Sequence, residues 1–244
     1  VSLVIDLVET LTATTSLPLL GVGVGSPGVV DLAGVVRSAP NLGWSDVPLQ
    51  RMLSERFGMP VIVANDANAA VLAEHSFGSG DSDLMLITVG HGVGAGILLG
   101  GTPIFGGHSA AGEIGHVVVG DDEGLACACG KSGCLETWLA APRLEAALAA
   151  ADGTRRDTIL REAGRRLGVA VAPVVGALDL SEIVLSGPIH LLDGPLAQAA
   201  DETIRARTMA DFHGDLRVRM TALGDDIVMR GAAAMVLARE LGVS

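Results

Sequence analysis

Apolar and polar positions follow two rhythms along the chain, and each change of rhythm marks an element. Val1 to Leu11 carries apolar residues at helical spacing, and Pro18-Leu-Leu-Gly-Val-Gly-Val-Gly25 then reads as a buried strand of small and branched residues that stops at Ser26-Pro27-Gly28. Gly34 to Ser38 is strand-like, and Pro40-Asn-Leu-Gly-Trp44 is a loop. Pro48 to Phe57 returns to the helical period ahead of a short buried strand, Pro60-Val-Ile-Val-Ala64. The Ala-rich stretch Asp66 to His75 predicts a helix, and Leu84 to Thr88 and Ala95 to Leu99 predict two strands joined across Gly90-His-Gly-Val-Gly94. Helical spacing holds again over Thr137 to Ala151 and Arg155 to Val175, strands fall at Ile183 to Leu185 and Leu216 to Met220, and Met229 to Leu241 closes the chain as a helix. Strands and helices alternate, with neither a repeat nor a low-complexity tract, which points to an α/β fold.

Composition sharpens this picture. The 244 residues are 49% apolar, with a mean hydropathy of +0.50, enough for a buried core in one large or two modest domains. With 33 glycines, four Phe, two Trp and no Tyr, that core must be layers of Val, Leu, Ile and Ala joined by tight turns. No apolar run reaches about 18 residues without a charge or a turn, and no basic stretch leads into a signal-type segment, so a soluble, cytoplasmic protein is expected. A formal charge of −12 repels a phosphate backbone. This stretch of chain is therefore not expected to hold DNA or an anionic membrane, and DNA binding would need a separate basic module. Val1 enters directly into an apolar helix with no initiator Met, the pattern of a fragment whose beginning is missing.

All three cysteines fall within eight residues, as Cys127-Ala-Cys129-Gly-Lys-Ser-Gly-Cys134, with His116 eleven positions before Cys127. Closed structural zinc sites use four thiolate or imidazole ligands, and Gly130 and Gly133 permit the turns that bring three sulfurs to one ion. A disulfide is disfavoured because Cys-X-Cys closes a strained ring and three cysteines leave one unpaired. Four protein ligands leave no open position for an activated water, so such a metal would shape a loop. If one His116 nitrogen binds the ion, the other is held in a fixed orientation and can face a ligand.

Asn65-Asp66 sits where a buried strand gives way to a helix, the place where open α/β sheets present ligand-binding side chains. Standing alone, Asp66 would read as a helix N-cap. Glu113, however, lies three residues before His116, and Glu136 two after the last cysteine, so a metal would gather these groups. Carboxylates and an amide around a neutral ligand suit a polyol, whose hydroxyls donate to Asp or Glu and accept from Asn or His.

Two stretches mimic the dinucleotide fingerprint, Gly23-X-Gly25-X-X-Gly28 and the run from Gly90 to Ala95. A Rossmann site needs strand, glycine turn, then helix; Pro27 removes an amide from the first loop, and the second runs into another strand. Gly90 to Gly94 reads equally as a backbone-amide phosphate cradle and as a plain tight hairpin.

Glu113-Ile-Gly-His116 followed by Cys127-X-Cys-Gly-X-X-Gly-Cys-X-Glu136 resembles the signature of the ROK family, named for its repressors, open reading frames and kinases. Gly25-Ser-Pro-Gly28, Pro40-Asn-Leu-Gly-Trp44, Asn65-Asp-Ala-Asn68 and the glycine hairpin extend the resemblance over nearly the whole chain. It implies an actin-like, two-lobed sugar-kinase fold and a homo-oligomer. It also implies that Asn65, Asp66, Glu113, His116 and Glu136 contact a monosaccharide and that a structural zinc sits on His116, Cys127, Cys129 and Cys134. In the family's kinases the counterpart of Asp66 is the general base that lets a sugar hydroxyl attack the γ-phosphate of MgATP.

Three departures favour the regulator branch. The family's first phosphate hairpin, Asp-X-Gly-X-Thr, is absent from this chain. The usual Gly-Thr-Gly reads Gly90-His91-Gly92, which puts an imidazole beside the expected phosphates. The glycine-pair turn at the adenosine reads Ser186-Gly187-Pro188. The family's regulators carry an N-terminal helix-turn-helix ahead of the sugar lobe. The expectation is thus a sugar-responsive regulator, with a hexose kinase as the alternative. It has a small lobe at residues 1–64 completed by 228–244, a large zinc-bearing lobe at 65–227 and the sugar between them. Gly90, His91, Gly92, Gly94 and Gly187 would form whatever nucleotide loop survives.

Overall fold

A computed structural model describes residues 1–120, 125–210 and 215–242, so positions 243 and 244 of the expected closing segment lie outside the described residues. The chain opens on α1 (Ser2–Thr12), which leads to β1 (Val22–Ser26). A three-stranded antiparallel flap follows, made of β2 (Val29–Val30), β3 (Val36–Ala39) and β4 (Trp44–Val47). Next come α2 (Leu49–Phe57) and β5 (Val61–Asn65), and β5 pairs in parallel with β1 so that Ser26 stands beside Asn65. Leu49, Leu53, Val61 and Val63 make the small core here together with Val30 and Val36 of the flap.

After α3 (Asp66–Phe77), the strands β6 (Leu84–Val89), β7 (Val93–Leu99) and β8 (Thr102–Pro103) form one side of a five-stranded sheet. A short helix α4 (Leu135–Leu139), then α5 (Ala141–Ala149) and the long α6 (Gly153–Leu178), lead to β9 (Glu182–Ser186). The chain finishes through α7 (Ile189–Leu192), α8 (Pro195–Arg207), β10 (Arg217–Met220) and α9 (Ile227–Leu241). The strand order is β10-β9-β6-β7-β8, with β9 parallel to both β10 and β6 and β7 antiparallel to β6.

Alternation along the strands divides this sheet between two cores. Met85, Ile87 and Val89 face the larger one, against Leu167 of α6 and Leu196 of α8. Leu84 and Leu86 face the other, against Ala70, Val71 and Ala73 of α3 and Ile227 of α9. Each fully buried Leu or Ile in these layers contributes about 2 kcal/mol relative to exposure. The Ala-rich face of α3 serves close packing: α9 runs so near that a Cβ at Gly231 would collide with the Ala69 carbonyl. That contact fixes the helix whose first residue is Asp66.

The expected strands and helices recur with shifted ends, and the differences have physical causes. The helix expected over 137–151 breaks at Ala140, whose ψ of 132° is extended, because Pro142 cannot donate to the preceding turn and its ring would strike the Trp138 carbonyl. The glycine turn is tighter than expected: Val93 pairs with Val89 and Gly94 with Thr88, so only Gly90, His91 and Gly92 lie outside the ladder. Trp44 begins a strand of the flap instead of ending a loop. The helix α8 went unpredicted although Leu196, Ala199, Ala200 and Ile204 recur at helical spacing behind a first-turn proline. No helix among the described residues is long and apolar enough to cross a membrane.

Candidate functional site

Strands β1, β5, β6 and β9 end their carboxyl termini on one cleft of about 610 Å³, bordered by Pro27 and Gly28, Asn65, Thr88 and Val89, and Ser186 and Gly187. Parallel strands place their ends, and the polar turns that follow them, on one side of the molecule, where open α/β folds bind ligands.

One wall is the junction of β5 and α3. Asn65 is the N-cap of α3, its Oδ1 accepting from the Asn68 amide at 3.0 Å. This displaces Asp66 from the cap position expected of it into the first turn, where its own Oδ1 accepts from the Ala67 amide at 2.8 Å. The Asn65 Nδ2 donates to the Gly28 carbonyl at 2.9 Å, tying the turn after β1 to the helix start. Both ends of the Asn65 amide are thus engaged, and the side chain also supports the neighbouring Asp66 carboxylate. Burial raises the Asp66 carboxyl above the ordinary Asp range, against the hydrogen bonds that pull it down.

The opposite wall is drawn from between Glu113 and Glu136, where the described residues form little regular structure. A single 3-10 turn, Ile114–His116, brings the His116 Nε2 to 4.0 Å from a Glu113 carboxylate oxygen. Burial pushes the Glu113 carboxyl up, and the charges of Asp66 and Glu136 push the same way while His116 opposes them. The other imidazole nitrogen, Nδ1, lies 3.5 Å from the Cys127 sulfur. His116, Cys127, Cys129 and Cys134 present ligand atoms all within 4.8 Å of one another, a group that can hold a metal ion. Tetrahedral zinc with Zn–S of about 2.3 Å and Zn–N of about 2.0 Å implies S···S of about 3.8 Å and S···N of about 3.5 Å. The Cys129 and Cys134 sulfurs stand 3.7 Å apart. The donor set and its spacing therefore fit a tetrahedral ion, and the cysteines are free, not bridged.

The Glu136 side chain joins the two halves of this wall. It lies in the first turn of α4, with one oxygen 3.9 Å from the Cys127 sulfur and the other accepting from the Val93 amide at 3.1 Å. A Cβ at Gly92 would lie 2.7 Å from the same oxygen, so a side chain there would have to push the Glu136 carboxylate aside.

Asn65, Asp66, Glu113, His116, Glu136, Gly90, His91, Gly92, Gly94 and Gly187 all border the one cleft, as does Cys129, whereas Cys127 and Cys134 are buried behind it. Sequence reasoning gave no role in the site to four further polar residues that border the cleft, Asn41, Thr88, Ser186 and Asp225. The signal for Thr88 and Ser186 was available, since each lies at the carboxyl end of a β-strand, as Asn65 does.

A mixed α/β chain whose cleft lies at converging strand ends and whose flank carries a three-cysteine, one-histidine cluster is the architecture of actin-like sugar kinases and the regulators related to them. The sequence profile of the ROK family matches residues 2–239, and the chain belongs to that family. Among curated relatives, it is 32% identical to a glucokinase of Halalkalibacterium halodurans, over 91% of this chain and 77% of that one. It is 29% identical to the xylose repressor of Caldicellulosiruptor bescii, over 90% of this chain and 63% of that one. Among solved structures, a ROK family transcriptional regulator that is a homologue of the E. coli MLC protein superposes with a TM-score of 0.76 at 27% identity, over 87% of this chain and 61% of that one. The fold is thus the actin-like one, and the chain spans somewhat under two thirds of the repressor and regulator it matches.

Proposed function

We propose that this chain is the sugar-sensing part of a ROK-family transcriptional regulator. A monosaccharide binds in the cleft to Asn65, Asp66, Glu113, His116 and Glu136. The small lobe at 1–64 with 228–244 and the large lobe at 65–227 close on it, and an attached DNA-binding module changes its affinity for an operator. The observation that carries this reading is the composition of the one cleft. Three of its four carboxylates, an amide and one of its two imidazoles converge there, while the neighbouring hairpin turns on His91 and has its Val93 amide already engaged by Glu136. DNA contacts belong to the attached module, since a net charge of −12 opposes them here. Zinc is the metal we assign to His116, Cys127, Cys129 and Cys134, where it orients the His116 imidazole toward the sugar. We further assign the protein to the cytoplasm, as a homo-oligomer.

A hexose kinase is the second reading, favoured by one observation: Asp66 stands at the cleft with its carboxyl raised, as suits a group that takes a proton. In that chemistry Asp66 accepts the proton of a sugar hydroxyl, the oxygen attacks the γ-phosphorus of MgATP, and ADP leaves. The deciding experiment mixes the natural protein with MgATP and a panel of pentoses, hexoses and N-acetylhexosamines, following ADP and melting temperature together. A sugar that raises the melting temperature without releasing ADP is the expected result. Sugar-dependent ADP would make the protein a kinase, and a panel without effect on either readout would defeat both readings.

A further inference from the structure

Among the described residues, the side chains bordering the cleft include four carboxylates, Asp66, Glu113, Glu136 and Asp225, and neither a lysine nor an arginine. The basic groups there are two imidazoles, and that of His116 turns one nitrogen to the cysteine cluster. Two cations close to the cleft are engaged elsewhere. Lys131, the one lysine in the sequence, donates to the His116 carbonyl at 2.7 Å. Arg219, next to the parallel strand ends, is held between the buried Glu74 and Glu182. Recognition of a phosphate by a protein ordinarily recruits Arg or Lys, whose charge and donors match it.

A second, independent observation concerns the backbone amides that could replace them. Gly90 N–H is used within the hairpin, donating to the Gly92 carbonyl at 2.9 Å. Val93 N–H is used by the Glu136 carboxylate. The hairpin thus already holds a carboxylate of the protein's own on one of its amides and spends a second within the turn.

Resting on the sugar reading of the cleft, we infer that the site takes the free sugar and excludes its phosphate ester. A phosphate dianion brought among four carboxylates meets like charges without a counter-cation, and like-charge juxtaposition weakens binding severely. The ester of whichever sugar binds is expected to bind at least about tenfold more weakly than the sugar itself. The excluded class is any sugar phosphate, at whichever hydroxyl it is esterified.

The test is calorimetric titration of the purified chain with a panel of pentoses, hexoses and N-acetylhexosamines, each beside its phosphate ester, at low and high salt. The free sugar is expected to bind with an affinity that salt leaves unchanged, while the ester's weak affinity improves as salt screens the repulsion. Asp225→Asn, which removes one cleft carboxylate, is expected to raise the ratio of ester to free-sugar affinity by about threefold. An ester that binds as well as or better than its free sugar overturns the inference and leaves the sugar site standing. An ester excluded to the same degree at high salt and in Asp225→Asn also overturns it, because charge is then not the cause. A panel that fails to bind in either form defeats the sugar reading itself and the inference with it.

Discussion

The two walls of the cleft are ordered by different physics. The wall at β5 and α3 needs nothing beyond the polypeptide: an Asn cap, a first-turn Asp, a parallel strand pair and an Ala-rich helix packed against α9. Among its described residues, the wall from Glu113 to Glu136 has one 3-10 turn, the first turn of a five-residue helix and two isolated bridges, Val118 with Cys134 and Ala126 with Ser132. What gathers its side chains is the His and Cys cluster. In the bare loop burial pushes the Cys134 thiol up to about 12, whereas the Lys131 backbone N–H lowers Cys129. A bound metal ion would remove such protons outright and convert a crowded set of thiols into four bonds. Half of the site is thus ordered by secondary structure and half is built around a cluster that can hold a metal ion, and the two can be broken separately.

The largest effect belongs to the self-sufficient wall. Asp66→Asn keeps the shape and the Oδ1 acceptor of the helix start but loses the base. Any ATP-dependent sugar turnover the protein supports should fall about a thousandfold, with sugar affinity kept within about tenfold. Steady-state kinetics beside calorimetry separates the two, and turnover unchanged in this variant would remove Asp66 from the chemistry.

The opposite wall should respond next most strongly. Cys134→Ser removes a fully buried ligand of the cluster. Bound zinc is expected to drop from about one equivalent to almost none, and sugar affinity to fall about a hundredfold as His116 and Glu136 lose their common anchor. Elemental analysis and titration measure both. Retention of sugar affinity in metal-free protein would show that the loop orders itself.

A third substitution acts on packing behind the first wall and should leave the metal alone. Gly231→Ala forces α9 away from the Ala69 carbonyl, an overpacking expected to cost about 2 kcal/mol in a urea titration. The zinc content of the variant should match the parent. Zinc loss there would mean that the two walls are coupled through the sheet.

The same division governs how much could be read from the amino-acid sequence. The metal-type cluster was legible because its ligands are neighbours in the chain: Cys127, Cys129 and Cys134 are close enough for spacing alone to bring them together. The strand and helix at Asn65-Asp66 were legible from the change of hydrophobic period. The residue that caps was not, since Asn and Asp are nearly equal caps and only the backbone angles choose between them. Glu136 reaching the Val93 amide was illegible as well, because 43 positions separate the two groups and only the folding of α4 against the hairpin joins them. The empty stretch between Ile183-Val-Leu185 and β10 was legible and unread: the helix α8 carries its periodic Leu, Ala and Ile in the open.

The smallest effect sharpens the comparison through pH. Burial is the largest influence on Asp66 and raises its carboxyl above its ordinary value of 3.8, so the folded protein holds that proton more tightly than the unfolded chain. Between the two values the native state carries more protons than the unfolded state, and stability therefore declines as pH rises through that window. Above the folded value the full cost of a buried, charged Asp66 is present; below about pH 4 both states are protonated and the cost is gone. Asp66→Asn carries no such charge at any pH. It should melt higher than the parent at pH 7, by on the order of 1 kcal/mol, and the difference should shrink as the pH falls toward 4. Melting curves of the two proteins across that range give the answer. A variant less stable than its parent at pH 7 would mean that the Ala67 amide and the helix start hold the carboxylate well enough to repay its burial, so that this wall keeps its charge without strain.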